Sequence, residues 1–347
     1  MNKILDGRKI IGYDFEVFSK SVHPETGKAY WMVVFIERES GKKFTIKNDV
    51  EKLRWFYDNY KNCIFVGYNS RHYDQYIFKG LLLGMDAGHI NDMIIEKGIG
   101  GYQVVPEAYK IPFYNYDCQV AMNSLKQLEA FMGSMIKESD VPFNIDRPLT
   151  VEEELETEEY CTHDVLETLK VFEQTINGFN AQVGLLDMFN LDVKFISKTN
   201  AQLTAEILGG KKLKGLKDHH DFKYPDTLVL NKYTEIKDFF DSLKNDTFVP
   251  TKFKSGKPVL ELELEVAGVP TVYARGGLHG SLNNFTYEGK IYSLDVQSLY
   301  PSLMIEYGLM SRAVDSDEKF KNIKAERVVL KKAKNPLQES LKLVLNY

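Results

Sequence analysis

The chain has 347 residues and a mass of 39.9 kDa, a length typical of about two domains. Its composition, 44% hydrophobic and 12% aromatic, supports a sizeable core and excludes a wholly disordered protein. A formal net charge of −5 implies that any anionic partner would be bound by local basic patches rather than by the overall charge.

The three cysteines, Cys63, Cys118 and Cys161, lie far apart in the sequence. This spacing argues against a disulfide scaffold and against a cysteine-type zinc site, and it favours a reducing compartment. The first residues have no apolar signal-peptide segment, and no apolar run of membrane-spanning length occurs. We therefore expect a soluble, intracellular protein without membrane association.

The predicted elements change in character along the chain. Residues 8 to about 180 alternate short β-like runs with helical stretches, which predicts an α/β domain. Residues 211–258 are rich in Lys and Asp and are interrupted by prolines, which predicts connecting structure, and residues 259–310 return to strands and turns. The remaining residues predict a hairpin of two helices, with Asn335 as the N-cap and Pro336 at the first position of the second helix.

The first chemical pattern is the run IIGYDFEVF, residues 10–18, in which apolar residues alternate with Asp14 and Glu16. Side chains two apart on a strand project from the same face, so the two carboxylates would lie together. Adjacent negative charges are costly unless a cation neutralises them, and oxygen ligands suit Mg²⁺ or Mn²⁺. For this pattern alone, a strand with an acidic outer face is the simpler interpretation.

Two further patterns place acids on helices. The run CIFVGYN predicts a buried strand ending at Asn69, and Asp74 falls near the start of the next helix, where it could serve only the helix dipole. Farther along, Tyr160 and Asp164 are four residues apart and so share one face of a helix. That spacing is common in acidic helices. His163 lies on a different face, and we interpret it as a surface residue.

In this order, the three segments resemble the three motifs of proofreading 3′–5′ exonucleases with a ribonuclease-H-like fold. The resemblance implies two divalent ions, Mg²⁺ or Mn²⁺, held by the four acids Asp14, Glu16, Asp74 and Asp164. In such enzymes one ion activates water and the other stabilises the leaving 3′ oxygen. It also implies that Tyr160 orients the water and that Phe15 and Asn69 contact the terminal nucleotide. Asp117 is interpreted as a supporting carboxylate or a solvated strand end. The subgroup with His five residues before the last Asp matches less well, because Glu159 is at that position.

A second resemblance begins at Asp295-Val-Gln-Ser298-Leu299-Tyr300-Pro301-Ser, which fills every specified position of motif A of family B DNA polymerases, D-x-x-S-L-Y-P-S. We expect a strand that brings Asp295 to a pair of metal ions and ends at Pro301. The resemblance implies that Asp295 binds both catalytic metals. It further implies that Ser298 and Leu299 contact the triphosphate and that Tyr300 excludes ribonucleotides as a steric gate.

Upstream of motif A, Tyr273-Ala-Arg275-Gly276-Gly277 resembles the Y-x-G-G element between the exonuclease and polymerase domains of this family, with one extra residue before the glycines. Paired glycines let backbone amides approach phosphates, and Arg275 adds positive charge. A simple hairpin turn is the alternative interpretation. Next to motif A, we expect contact with the DNA template strand.

The two carboxy-terminal helices are similar to the start of the fingers subdomain. One predicted helix face carries the basic stripe Lys324, Arg327, Lys331 and Lys334. The run from Lys342 to Asn346 resembles the beginning of motif B, K-x3-N-S-x-Y-G, after which Tyr347 departs from the pattern. The resemblance implies that Lys342 and Asn346, with Arg327 as a helper, contact the incoming nucleotide.

The sequence therefore predicts three regions: an exonuclease domain over 1–185, a connecting region with a partial palm over 186–310, and the start of the fingers over 311–347. Motif C, Asp-Thr-Asp, supplies a further metal-binding carboxylate in this family and does not occur here. We expect 3′–5′ hydrolysis by this chain, and DNA synthesis only if another chain supplies motif C. Expected partners are single-stranded 3′ ends, primer–template DNA and, for the completed enzyme, dNTPs.

Other interpretations stay open. The chain could be a non-catalytic DNA-binding remnant of a polymerase, or a fragment that polymerises together with a separate carboxy-terminal chain. An RNA-trimming exonuclease fits less well because it leaves residues 259–347 unexplained. The interval between Asp295 and Lys342 is too short for the large insertion of protein-primed members, which favours a bacteriophage or mobile-element enzyme. A split gene, an intervening element, a frameshift or a shortened form would each explain why the pattern stops within motif B.

Overall fold

The structure is a computed structural model. The residues it describes are 3–24, 26–120, 123–136, 138–213, 227–245, 247–254, 256–274 and 277–346. Within these ranges the protein is mixed α/β, with a five-stranded mixed sheet and twelve α-helices, as the sequence predicted. Contacts divide the chain into two units, one formed by Met1–Gly210 with Val314–Tyr347 and the other by Lys211–Ala313.

The five-stranded sheet is the centre of the first unit. Its strands are β1 (Ile10–Val22), β2 (Ala29–Glu37), β3 (Lys43–Lys47), β4 (Ile64–Gly67) and β5 (Tyr114–Asp117). They are arranged in the order β3-β2-β1-β4-β5, with β1, β2 and β3 antiparallel and β4 and β5 parallel to β1 and to each other. Because β1 is central and both faces of the sheet are covered, most of its side chains are buried, at odd-numbered and even-numbered positions alike.

Helices surround this sheet. In the first unit they are α1 (Val50–Tyr60), α2 (Asp74–Leu82), α3 (Ala87–Asn91), α4 (Gly101–Val104), α5 (Leu125–Met132), α6 (Val151–Gln174), α7 (Ile176–Met188), α8 (Asn200–Leu208), α11 (Glu318–Lys332) and α12 (Leu337–Asn346). Two 3₁₀ turns (Ala108–Lys110 and Val193–Ser197) and a π-helical turn (Asp92–Glu96) complete the unit. The aromatic core forms on the face of the sheet covered by α1 and α2, where the Phe35 and Phe56 rings stack with centroids 4.0 Å apart.

The opposite face of the sheet is covered by α6, which has 24 residues. This helix starts at a capping box, in which the Thr150 hydroxyl accepts from the Glu153 N–H and the Glu153 carboxylate accepts from the Thr150 N–H. The helix lies very close to β1 at Gly12, where an added Cβ would be 2.8 Å from Cγ of Leu169. Glycine at this position therefore lets α6 approach the central strand.

The predicted helical hairpin is present as α11 and α12. Oδ1 of Asn335 accepts the Leu337 N–H at 3.0 Å, as expected for an N-cap, and the apolar side chains of Leu341 and Val344 are buried. The division of the chain nevertheless differs from the prediction. Residue 185 lies inside α7, and α12 packs against α7 and α8, so the hairpin belongs to the first unit. Burial of the apolar side of α12 explains this difference.

The second unit is smaller. Its elements are α9 (Thr234–Lys244), β6 (Phe253–Lys254), β7 (Lys257–Pro258), β8 (Glu261–Val266), β9 (Val269–Ala274), β10 (Gly277–Gly280) and α10 (Leu299–Glu306). β8, β9 and β10 form an antiparallel three-stranded sheet, and β6 pairs with β7. One face of α9 is buried through Ile236, Phe239 and Leu243, so the connecting region has a folded helix.

Candidate metal centre

Two carboxylates of the candidate site come from the middle of β1. Asp14 and Glu16 lie on the even face of the strand, which α6 covers, and Glu16 is only 6% exposed. Oxygen atoms of both residues and Sγ of Cys161 on α6 all lie within 4.8 Å of one another. The Cys161 thiol also lies 3.4 Å from the backbone carbonyl of Asp14, to which it donates. The period-two prediction for Asp14 and Glu16 therefore agrees with the structure.

The third carboxylate belongs to Asp74, the first residue of α2. It is 5% exposed, and its Oδ1 accepts the backbone N–H of Phe15 at 3.2 Å. Because Phe15 lies between Asp14 and Glu16 in the sequence, this hydrogen bond holds Asp74 beside both strand carboxylates. The predicted position of Asp74 at a helix start is confirmed.

The fourth carboxylate, Asp164, lies one turn after Tyr160 on α6. The Tyr160 side chain is hydrogen-bonded to Asp164, as their spacing predicted for a shared helix face. The ammonium group of Lys126 on α5 lies 2.9 Å from Oδ1 of Asp164 and 4.7 Å from the centre of the Tyr160 ring. Asp164 is therefore contacted by one hydroxyl and one cation.

The electrostatics join these four acids into one cluster. Burial, and then the negative charges of Asp74, Glu16 and Asp164, raise the pKa of Asp14 well above its ordinary value. Burial, followed by the charges of Asp164 and Asp74, does the same for the pKa of Glu16, which Lys126 partly lowers. Burial also raises the pKa of Asp74 to about 7. The charges of Asp74, Glu16 and Asp164 act on Asp14, and those of Asp164 and Asp74 act on Glu16, so the four carboxyl groups lie within electrostatic reach of one another.

This cluster of acidic residues could bind a metal ion. The carboxylates are buried and their pKa values are raised, so the neighbouring positive charge does not balance their negative charge. Their oxygen-only donor set is the one that Mg²⁺ and Mn²⁺ prefer. The neighbouring Cys161 does not add a thiolate, because burial and then the charge of Asp14 raise the pKa of its thiol. The four acids could thus hold the metal ions, while Cys161 fills space beside them.

Tyr160 keeps its proton in this environment. Burial, and then the charges of Asp164 and Glu16, raise the pKa of its hydroxyl above the ordinary value. The hydroxyl is consequently a hydrogen-bond donor over the whole physiological pH range. Such a group can orient a water molecule or a phosphate oxygen, and it cannot serve as a general base.

Lys126 and Glu129 are the neighbours of the site that sequence reasoning missed. The capping box between Ser124 and Gln127 at the start of α5 was legible in the sequence, but the packing of α5 on α6 was not. The interpretation of His163 as a surface residue was wrong. Its side chain is 22% exposed, and its Nε2 lies 3.7 Å from Oε2 of Glu129, because α5 covers this part of α6.

Asn69 lies on a loop that Asp117 holds in place. The Asp117 carboxylate accepts three backbone N–H groups, from Asn69, Arg71 and Gln119, each at 3.0 Å. Asn69 itself has a positive φ of 55°, and its side chain is exposed. Asp117 is therefore the supporting carboxylate of this loop rather than a solvated strand end.

The Phe15 side chain lies on the aromatic-core face of β1. It is 4% exposed and packs against Trp31 and Phe78. The cause is the strand period, which puts odd residues of β1 on the face opposite to Asp14 and Glu16. Phe15 contributes its backbone N–H to the site, and its contact with a terminal nucleotide stays a prediction.

A cavity of about 440 Å³ adjoins the cluster on the side of Glu16. Tyr73, Asn91 and Phe143 line it together with Glu16. The Tyr73 hydroxyl donates to Oδ1 of Asn91 at 2.7 Å, and the Phe143 ring is half exposed. With Glu96 and Lys20 also in its lining, the cavity combines carboxylates, a cation, aromatic surfaces and amides, a lining suited to a nucleotide-sized ligand.

The motif A residues lie in the second unit without the expected strand. Residues 288–297 form no strand among the residues described, and Asp295 is exposed. Ile291 and Leu294 are 74% and 96% exposed, so this stretch has no sheet neighbour within the described ranges to pair with it. The strand prediction was wrong here for that reason.

The other residues predicted to bind a nucleotide lie at the start of α10 and on α11 and α12. Ser298 precedes α10 with a φ of 52°, and Leu299 and Tyr300 open this helix with exposed side chains. On α12, Lys342 and Asn346 are exposed, and Lys342 lies 3.8 Å from Glu339. Arg327 is half-buried on α11. Their roles in binding a nucleotide stay predictions.

The Y-x-G-G-like element forms a hairpin. Tyr273 in β9 pairs with Leu278 in β10, and Ala274 pairs with Gly277, whereas Arg275 and Gly276 lie outside the described residues. The hairpin interpretation is therefore correct for the backbone. The predicted contact with a template strand stays a prediction.

No helix in the part of the chain described here combines the length and the apolar character needed to cross a bilayer. Compared with known protein families, the chain matches no family model. It also has no significant match among curated proteins. The residues and geometry of the site therefore carry the functional interpretation.

Proposed function

We propose that the first unit is a metal-dependent 3′–5′ exonuclease with a ribonuclease-H-like fold, the proofreading part of a family B DNA polymerase. The observation that carries this proposal is the electrostatic cluster of Asp14, Glu16, Asp74 and Asp164, which come from β1, α2 and α6. The central strand β1 supplies two of the carboxylates, the start of α2 supplies the third, and α6 supplies the fourth. The order of the three motifs in the sequence supports the same proposal.

The four acids would hold two Mg²⁺ or Mn²⁺ ions. When bound, such ions supply an activated water and stabilise the leaving 3′ oxygen. The other residues of the site would bind the terminal nucleotide and orient the attacking water. The Tyr160 hydroxyl stays protonated and is hydrogen-bonded to Asp164; it would rotate to donate a hydrogen bond toward the attacking water, and Lys126 balances the charge of Asp164. The loop of Asn69, fixed by Asp117, presents an exposed amide side chain for the terminal nucleotide.

The substrate would be the 3′ end of single-stranded DNA. The cavity beside Glu16 has the volume to accommodate a nucleotide, and the Tyr73 and Phe143 rings offer surfaces on which a base can stack. Stacking does not depend strongly on the identity of the base. A lining of this kind therefore suits a proofreading activity, which must remove any terminal nucleotide.

The direct test uses the full chain and a single-stranded DNA oligonucleotide labelled at its 5′ end. With Mg²⁺ or Mn²⁺ we expect a ladder of products shortened from the 3′ end, which disappears with EDTA. The double variant Asp14→Ala/Glu16→Ala should abolish it, whereas Glu51→Ala/Asp58→Ala, which removes two exposed carboxylates of α1, should not. Full activity in the first double variant, or activity that survives EDTA, would refute the proposal.

The same assay separates the alternatives. Salt-sensitive DNA binding without hydrolysis under any metal would identify a non-catalytic remnant. Preferential shortening of an RNA oligonucleotide of the same sequence would identify an RNA-trimming enzyme instead. Thermal unfolding of each variant beside the wild type shows whether a loss of activity reflects loss of the fold.

A second function, DNA synthesis together with another chain, is favoured by the exposed apolar side chains of Ile291, Leu294 and Val296 around Asp295. We propose that this stretch is completed as a strand by a chain that carries motif C. Mixing the protein with such a carboxy-terminal chain should produce primer extension. Asp295→Ala should remove extension without affecting 3′–5′ hydrolysis. Extension that persists in this variant would refute the assignment.

A further inference from the structure

Glu129 on α5 has a completely buried carboxylate. Its exposure is 0%, and neither of its two oxygens has a hydrogen-bond partner among the residues described. A carboxylate removed from water without hydrogen bonds costs several kcal/mol unless a cation lies beside it. Glu129 therefore requires a positive charge that the fold brings to it.

Two cationic or basic groups come near this carboxylate without completing its coordination. Nζ of Lys126 lies 3.6 Å from Oε1, and Nε2 of His163 lies 3.7 Å from Oε2. Lys126 approaches Asp164 more closely, at 2.9 Å. Nε2 of His163 is itself buried and without a hydrogen-bond partner. The two carboxylate oxygens of Glu129 and Nε2 of His163 are thus buried. The distances from Glu129 to Lys126 and to His163 are too long for hydrogen bonds.

These atoms have the spacing of a metal site. One oxygen of Glu129, Nε2 of His163 and one oxygen of Asp164 lie within 4.8 Å of one another. Small side-chain rotations would bring them around an ion with ligand distances of about 2.0–2.2 Å. One imidazole and two carboxylates suit a borderline transition-metal ion such as Zn²⁺ better than Mg²⁺. The three side chains leave a fourth position for water.

We propose that Glu129, His163 and Asp164 bind one dication of the zinc class at a site that shares only Asp164 with the four-acid cluster. Lys126, whose side chain is 27% exposed, would move its ammonium group toward solvent as the ion enters. The proposal does not require hydrolysis of any substrate. It is also compatible with the cysteine spacing, because none of its ligands is a cysteine.

The site has a consequence for its neighbour, because Asp164 belongs to both clusters. A zinc-class ion bound by Glu129 and His163 competes for the carboxylate that the exonuclease cluster uses. This second effect rests on the proposed exonuclease function. The binding itself can be measured without any activity.

The test uses the full chain with Zn²⁺ in competition with a chromophoric chelator, and Co²⁺ as a spectroscopic probe. For the wild type we expect one zinc ion bound and a visible Co²⁺ absorption band typical of a nitrogen and oxygen ligand set. His163→Gln and Glu129→Gln should each weaken Zn²⁺ binding at least about tenfold, since each removes one ligand. His89→Gln, which changes an exposed histidine of α3, is the matched control and should bind as the wild type does.

Lys126→Met gives the opposite expectation, because it removes the cation that competes with the metal. Zn²⁺ should bind this variant more tightly than the wild type. Asp14→Asn/Glu16→Gln should abolish Mg²⁺-dependent hydrolysis and retain the Zn²⁺ site, so failure of the exonuclease proposal and failure of this one are distinguishable. Unchanged Zn²⁺ affinity in the folded His163→Gln protein, or weaker binding by Lys126→Met, would overturn the proposal.

Discussion

The backbone N–H of Phe15 donates a hydrogen bond to Oδ1 of Asp74 over 3.2 Å, although 59 positions separate the two residues. The bond joins the middle of the central strand to the first residue of α2. Because Asp14 and Glu16 flank Phe15, it gathers three carboxylates before any metal or substrate is bound. The folded protein therefore brings several carboxylates together in one buried cluster.

Relief of the repulsion among these carboxylates should stabilise the metal-free protein. The pKa of Asp74 is raised to about 7 by burial, so its protonated form favours folding. That contribution is complete below about pH 4 and is lost as the pH rises through 7. In EDTA, we expect the melting temperature of the wild type to fall between pH 6 and pH 8. Asp74→Asn, which keeps an oxygen for the Phe15 N–H, should reduce this fall and gain on the order of 2 kcal/mol at pH 8.

The control for this measurement is Asp58→Asn, which changes an exposed carboxylate on α1. It should leave the pH dependence of the melting temperature unchanged. Addition of Mg²⁺ should stabilise the wild type more than Asp74→Asn. A melting temperature that rises with pH in EDTA would contradict a cluster of repelling carboxylates.

Tyr160→Phe should slow hydrolysis by about a hundredfold, since it removes one positioned hydrogen-bond donor. The concentration of Mg²⁺ for half-maximal rate should stay unchanged, because the hydroxyl is not a metal ligand. The raised pKa of Tyr160 keeps the group protonated, so the wild-type rate should show no decline from its ionisation up to about pH 9. Tyr102→Phe, at an exposed position on α4, is the control. A wild-type rate in Tyr160→Phe would remove this residue from the mechanism.

Lys126→Met should move the acidic limb of the pH–rate profile to higher pH. Burial is the main cause of the raised pKa of Glu16, and the Lys126 ammonium group partly opposes it. Without that charge, a larger fraction of Glu16 is protonated at neutral pH and unable to bind a metal ion. The rate should therefore fall most at the acidic end of the profile and recover as the pH rises. Lys170→Met, at an exposed position on α6, should show the wild-type profile, and an unshifted limb in Lys126→Met would contradict this role.

Asp117→Ala should destabilise the protein by about 1–3 kcal/mol, because three backbone N–H groups lose their acceptor. Urea unfolding measures the change, and Asp146→Ala at an exposed position is the control. The loop of Asn69 should also become more accessible to proteolysis. For hydrolysis we expect a higher KM with a smaller change in kcat, since the loop binds the substrate and carries no metal ligand. A selective loss of kcat would contradict this assignment.

Much of the metal centre follows from two short-range periods. The strand period places Asp14 and Glu16 on one face, and the helix period places Tyr160 beside Asp164. The same strand period assigns Phe15 to the opposite face, yet the resemblance to exonucleases favoured a nucleotide contact for it.

The remaining differences depend on packing between distant segments. Lys126, 38 positions before Asp164, reaches it only because α5 lies against α6, and no local sequence pattern predicts that contact. The same packing covers His163. Asp295 shows the converse, since a β-like sequence forms a strand only where a neighbouring strand supplies hydrogen bonds.

Gly12 is important for the position of α6, because this helix lies very close to β1 at that residue. A single methyl group there would lie 2.8 Å from Cγ of Leu169, so the leucine or the whole helix would have to yield. Asp14 lies two residues along the same strand, and Asp164 lies on the same helix. Alanine at position 12 would thus act as a wedge, widening the gap between two carboxylates that it never touches.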